Sequence, residues 1–200
     1  QFSAGRMSEE DFCQIERRAI PVSVKTRLGY DRVVNEDWLS TLLKEDIAVV
    51  SLHGRTLAQG YKGGADWDAI ARAVKIAKNS GTLILGNGDV QDMRDVCRRV
   101  RETGVDGVLI GRSAQGAPWL FRNKQAVKQA LNSGADFLLE GTPVSLDERF
   151  QIIVEHSEHF ERLCDSSRFV AMRKHLTWYC RNFRGAAEMR AQMTRASNAA

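Results

Sequence analysis

The sequence predicts an α/β fold in which parallel strands alternate with helices. Three observations point to it: four short runs rich in Val, Ile and Leu, segments of helical spacing between them, and a cluster of polar residues at the C-terminal end of each run. In order, "VSVKTRL" at 22 to 28, "IAVVSLH" at 47 to 53, "TLILGN" at 82 to 87 and "GVLI" at 107 to 110 have the apolar, β-branched character of buried parallel strands. Between them, helices are expected at roughly 36 to 45, at 67 to 79 on Trp67, Ile70, Val74 and Ala77, and at 91 to 103 on Met93, Val96 and Val100. Gly81 and Gly104 stand where left-handed C-terminal caps are expected, and Asp66 and Asp89 lie near expected helix starts. Three further helices are expected in the tail, near 146 to 163, 168 to 182 and 185 to 197.

Composition narrows the class. With 200 residues, 43% hydrophobic and 27% charged, the chain has the make-up of a globular protein with one sizeable core. No stretch approaches the ~20 apolar residues a spanning helix requires, and the opening "QFSAGRMSEEDF" lacks an apolar signal-peptide core, so a cytoplasmic location without membrane contact is expected. Cys13, Cys97, Cys164 and Cys180 show no C-x-x-C spacing, which argues against a zinc site or a disulfide framework. Charge is uneven: from Arg168 onward seven basic residues face a single Glu188, a net +6 within a chain of net +4.

Each strand ends on polar residues: Lys25 and Arg27, His53 and Arg55, Asn87 and Asp89, Gly111 and Arg112. Ligands of parallel β/α folds lie beyond the C-terminal strand ends, and in barrels a phosphate commonly sits in the last two such loops. Gly88 or Gly111 alone is as readily a simple turn residue, and a lone His53 reads first as a hydrogen-bonded core histidine. Convergence of four strands on one rim favours a ligand site.

"PVSVKTRLG", "SLHGRTLAQGYKGGADWDAI", "LILGNGDV" and "GVLIGRSAQGAPWLF" resemble, in order, the successive β/α motifs of the flavin-dependent tRNA-dihydrouridine synthases, and "RKHLTWY" resembles that family's C-terminal helical domain. The resemblance implies the C-terminal half of a (β/α)8 TIM barrel, four β/α units over residues 1–135, followed by a small all-α helical tRNA-binding domain at 145–200. It implies FMN as cofactor, NADPH as hydride source, and reduction of a tRNA uridine to 5,6-dihydrouridine. Carried over by position, Lys25 lies near the flavin N1 and C2 carbonyl edge, and His53 contacts the isoalloxazine or the uracil. Arg55 orients substrate or phosphate. Asn87, Gly88 and Asp89 meet the ribityl-phosphate side, and Gly111 with Arg112 binds the phosphate.

The departures are as informative. The family's first four β/α units, including the motif with the proton-donating cysteine, have no counterpart in this sequence; none of the four cysteines matches it, no catalytic residue is nominated, and the chain alone is expected to be inactive. A half barrel leaves strand edges at 22 to 28 and 107 to 110, for which dimerisation is the expected remedy. In the tail, Lys174, Thr177 and Arg181 share a helical face opposite Met172, Leu176 and Tyr179, so Arg173, Lys174 and Arg181 are the expected phosphate contacts for tRNA. Two other readings remain open: a different FMN-binding TIM-barrel oxidoreductase acting on a small metabolite, and a non-catalytic tRNA-binding fragment.

Overall fold

The computed structural model describes residues 20–137, 143–164 and 166–199. Strands β1 (Val22–Arg27), β2 (Ile47–His53), β3 (Leu83–Asn87) and β4 (Gly107–Leu109) form one sheet in the order β1-β2-β3-β4, every neighbouring pair parallel. Each crossover carries a helix: α1 (Asn35–Leu42), α2 (Trp67–Ala77) and α3 (Met93–Thr103). The helix after β4, α4 (Lys124–Ser133), begins only after two 3-10 segments, Arg112–Ala114 and Pro118–Asn123. This is the expected α/β architecture of four β/α units, and Cys13 with the helix expected around it lies outside the described residues.

Helix boundaries follow cap chemistry. The Asp66 side chain accepts a hydrogen bond from the Ala69 N–H at the start of α2, and Asp92 accepts two, from Arg94 and Asp95, at the start of α3. Asp92, three residues beyond Asp89, is therefore the cap of α3, while Asp89 near the expected start sits in a left-handed turn with φ +51°. Gly104 is the left-handed cap of α3, whereas α2 ends at Lys78 and Gly81 lies beyond it, in the following turn at φ +81°.

The sheet is covered on one face. Val50, Leu52 and Ile84 point into a core with Ile70, Ala73, Trp67 and Leu39 of the helices. The strand register places the alternate residues on the opposite face in rows: Lys25, Ser51, Leu85 and Gly107, then Arg27, His53, Asn87 and Leu109. None of these eight is buried. Parallel sheets are ordinarily covered on both faces, so this side is an interior surface without its lid among the described residues.

The tail packs around a second core. Helix α5 (Leu146–Leu163) contributes Ile153, the 3-10 segment Ser166–Met172 contributes Phe169 and Met172, and α6 (Arg173–Tyr179) contributes Leu176 and Tyr179. The helix expected at 168 to 182 is thus a 3-10 segment joined to a two-turn α-helix. The last, α7 (Ala186–Met193), is shorter than its expected span because Gly185, at φ +85°, starts it and Thr194 ends it. The expected apolar face is present across the junction: Met172 of the 3-10 segment and Leu176 and Tyr179 of α6 are buried.

The two cores meet along a polar-aromatic seam. Arg122 pairs with Glu148 and the Arg149 guanidinium lies 5.4 Å from the Trp119 ring centre, while within the tail Arg149 Nη1 donates to the Arg181 carbonyl at 2.6 Å. Gly116 permits the closest approach, since a Cβ there would overlap the Trp178 carbonyl.

Candidate functional site

The segment from Gly54 to Trp67 builds one wall. Arg55 is 2% exposed and acts as its hub: Nη1 donates to the Gly60 and Lys62 carbonyls, both at 3.3 Å, and Nη2 to the Gly63 carbonyl at 2.8 Å and to Asp89 Oδ2 at 2.6 Å. Nη1 and Nη2 are thus committed to the protein and hold the loop in shape, while the buried Nε has no partner among the described residues. That loop carries Tyr61, whose ring centre lies 4.7 Å from the Arg112 guanidinium carbon.

The stretch from Gly86 to Asp89 shows why an apolar strand ends on these residues. Gly86 leaves room for the Trp67 indole, which a Cβ would meet at 2.5 Å. The indole Nε1 donates to the Gly88 carbonyl at 3.0 Å, tying the start of α2 to the end of β3. Gly88 itself stands at φ +135°, and a Cβ there would lie 2.5 Å from the Ala65 Cβ. Asn87 Nδ2 donates to the Leu109 carbonyl at 2.8 Å, bridging β3 to β4. Asp89 joins both arginines: Oδ2 takes Arg55 and the Ala65 N–H, and Oδ1 takes Arg112 Nη2 at 2.8 Å.

These contacts set the charge. Burial would raise the Asp89 carboxyl, but the Arg55 and Ala65 hydrogen bonds and the Arg55 and Arg112 charges outweigh it and hold its pKa below 3.8. His53 is lowered from 6.5, chiefly by burial and then by Arg27, Lys25 and Arg55, with Asp89 opposing. Near neutral pH the site therefore presents a neutral imidazole, a neutralised carboxylate and a surplus of guanidinium.

A cavity of about 410 Å³ opens over this arrangement, lined by His53, Tyr61, Asn87, Gly88, Asp89 and Val90 and, on its other side, by Leu109, Gly111, Arg112 and Ser113. It gathers six of the eight rim residues expected from sequence. Lys25 is on the same sheet face but lines a separate cleft with Arg27 and Tyr30, and Arg55 is buried behind the wall. Arg181 also reaches this cavity, so a residue read as part of a tail surface stands beside Arg112. Arg173 is half-committed, its Nε donating to the Ala196 carbonyl at 2.7 Å, and Lys174 is exposed. Tyr61 and Ser113 were not singled out in the sequence; the Tyr61 signal was its place between the loop glycines.

Arg112 and Arg181 are the cations at this mouth, and Gly111 has open space where a Cβ would stand, which allows close approach to its backbone. Such a donor set suits a phosphate, and the uncovered row from Asn87 through His53 to Arg27 suits a flat ring laid along the sheet face. Among the described residues, no group of three or more metal-ligating side chains occurs and no helix is long and apolar enough to cross a membrane.

Comparison with known proteins gives a consistent picture. The family model described as dihydrouridine synthase (Dus) matches residues 14–200. The chain is 36% identical over 139 residues to the "Probable tRNA-dihydrouridine synthase" of Aquifex aeolicus, covering 68% of this chain and 43% of the relative. It is 37% identical over 178 residues to the protein of that name from Mycobacterium tuberculosis H37Rv, covering 86% and 42%. It is 35% identical over 179 residues to "tRNA-dihydrouridine synthase B" of Pseudomonas aeruginosa, covering 88% and 51%. The chain thus spans about half the length of the curated relatives it matches.

Proposed function

Because this chain belongs to the dihydrouridine synthase family, we propose that it forms the phosphate-binding and RNA-facing half of an FMN-dependent (β/α)8 barrel that reduces a uridine of tRNA to 5,6-dihydrouridine with NADPH. One observation carries the reading: the sheet cavity joins Asn87, Gly88, Gly111 and Arg112 from the C-terminal ends of β3 and β4 to Arg181 from the helical tail. A cofactor phosphate site and an RNA-facing helix are thereby neighbours. A metabolite oxidoreductase would share the first and have no use for the second.

Bound FMN supplies the hydride for the uracil double bond. This chain's residues bind and orient. Arg112, held by Asp89, offers its remaining N–H groups to the phosphate. His53, kept neutral, can exchange a hydrogen bond with a ring carbonyl without adding charge. Lys25 and Arg27 place positive charge along the open face, where it would stabilise negative charge on a bound ring. Arg55 and Asp89 are positioning residues. The tail, from about residue 145, supplies cationic contacts to tRNA through Lys174 and Arg181, with Arg173 contributing what its Ala196 bond leaves free. The uncovered sheet face and the edges at β1 and β4 take the remaining β/α units of the barrel or, in the chain by itself, a second copy. A cytoplasmic location accords with a tRNA substrate.

The test is flavin binding by equilibrium dialysis. Arg112→Ala should weaken FMN binding by ~1.5 to 3 kcal/mol, the range for a charge-assisted hydrogen bond, and riboflavin, which lacks the phosphate, should bind both proteins alike. Equal FMN retention by the two proteins would refute the phosphate role.

A further inference from the structure

Beside the sheet cavity, and sharing Gly111 with it, lies a second cleft of about 260 Å³ between the 114–118 segment and helices α5 and α6. It is lined by His156, His175, Trp178 and Tyr179 on the tail side and by Gln115 and Gly116 on the other. We propose that this cleft is a nucleobase-stacking subsite, holding one unpaired RNA base that neighbours the base presented to the sheet cavity. The inference rests on the tRNA reading above and adds to it a site and a mode of contact.

The geometry is that of π surfaces arranged around a gap. His175 and Trp178 meet edge to face, with ring centres 4.9 Å apart and planes at 83°, an arrangement in which one ring leaves its face uncovered. His156 and His175 are tilted at 59° with centres 5.6 Å apart. The His156 Nδ1 and Tyr179 hydroxyl are hydrogen-bonded at 3.1 Å, which fixes two of the walls.

The cleft carries no full charge near neutral pH. Burial and then the His159 charge lower the His156 pKa; burial, then His156 and Lys174, lower that of His175; burial raises the Tyr179 phenol. Cations stand outside it, Lys174 on the exposed side of α6 and Arg112 and Arg181 in the adjoining cavity. Uncharged aromatic walls inside a cationic border match single-stranded RNA, whose bases stack while its phosphates stay at the rim. No Lys or Arg lines the cleft itself, so a phosphate finds its cationic partners in the adjoining cavity.

Two measurements test this. In the chain labelled with 13C-histidine, a short single-stranded oligouridine RNA should shift the ring signals of His156 and His175 and leave that of His159, which is exposed on α5, in place. Affinity for an unmodified tRNA transcript is then followed against salt. His175→Ala removes a wall, and Ala114→Leu fills the cleft without touching the aromatic rings. Each should weaken binding roughly tenfold, as for loss of one stacked base, with the salt slope unchanged. Lys174→Ala, by contrast, should lower the slope by about 0.7 to 0.9. Wild-type affinity in both folded cleft variants, or His156 and His175 signals that respond to NADPH and not to RNA, would overturn the subsite and leave the tRNA reading intact. A wild-type chain that binds no tRNA at low salt would overturn both.

Discussion

At the scale of single residues, Asp89 determines how the site holds together. It is the shared acceptor of a buried guanidinium and an exposed one, with the Arg55 and Arg112 side chains 3% and 57% exposed. Asp89→Asn keeps the shape and removes the charge. Arg55 retains three carbonyl acceptors, so the cost falls below that of stranding a buried ion and should be about 1.5 to 3 kcal/mol. Arg112→Ala, at the exposed end, should cost under about 1 kcal/mol. Urea titrations of the two variants decide it: equal stabilities would show that Asp89 does not organise the wall. Sequence reading placed Asp89 and Arg55 at neighbouring strand ends and did not show that they bond to each other. A polar residue at a strand end can face the ligand or the wall behind it, and only the distances from Arg55 to Gly60, Lys62 and Gly63 separate the two.

At the scale of elements, the repeating strand and helix pattern was legible because a buried parallel strand and a one-sided helix have different periods. The α2 cap was legible too, since Asp66 precedes Trp67 directly. The 3-10 segments were not: Arg112–Ala114, Pro118–Asn123 and Ser166–Met172 have no distinctive hydrophobic period, and the last resembles the start of the helix it precedes. Nor was the seam between the cores, which depends on backbone approach at Gly116. Gly116 has φ +64° and no space for a Cβ, whereas Gly134, the cap of α4, has φ +72° and open space around it. Gly134→Ala should therefore cost about 1 kcal/mol for the left-handed backbone alone, and Gly116→Ala about 2 to 4 kcal/mol because the helix must also shift. Differential scanning calorimetry should show Gly116→Ala lowering the melting temperature several-fold more than Gly134→Ala, and separating the tail's transition from that of the sheet. Equal shifts would mean that the seam is not held at Gly116.

At the scale of the whole molecule, three neutral histidines link both parts of the chain to pH. His53 on the sheet face and His156 and His175 in the tail all have pKa values lowered from 6.5, burial being the largest cause in each. The unfolded chain takes up these protons near pH 6.5 and the folded chain only at lower pH, so the unfolded state is the better proton binder in between. By linkage, stability is fully present above pH 6.5 and declines as pH falls from there through the folded-state values. Asp89 and Asp92, whose pKa values are held below 3.8, behave with the same sense at lower pH: their contribution is present above 3.8 and is lost as they protonate. The urea midpoint should therefore drop between pH 7.5 and 5.5, before Asp89 and Asp92 titrate. His53→Gln should reduce part of that drop, and His175→Ala a separate part, because one lies on the sheet face and the other in the tail, so their effects should add. A midpoint that stayed constant or rose over this range would show that these imidazoles are solvated in solution and that neither cavity is as closed as its walls imply.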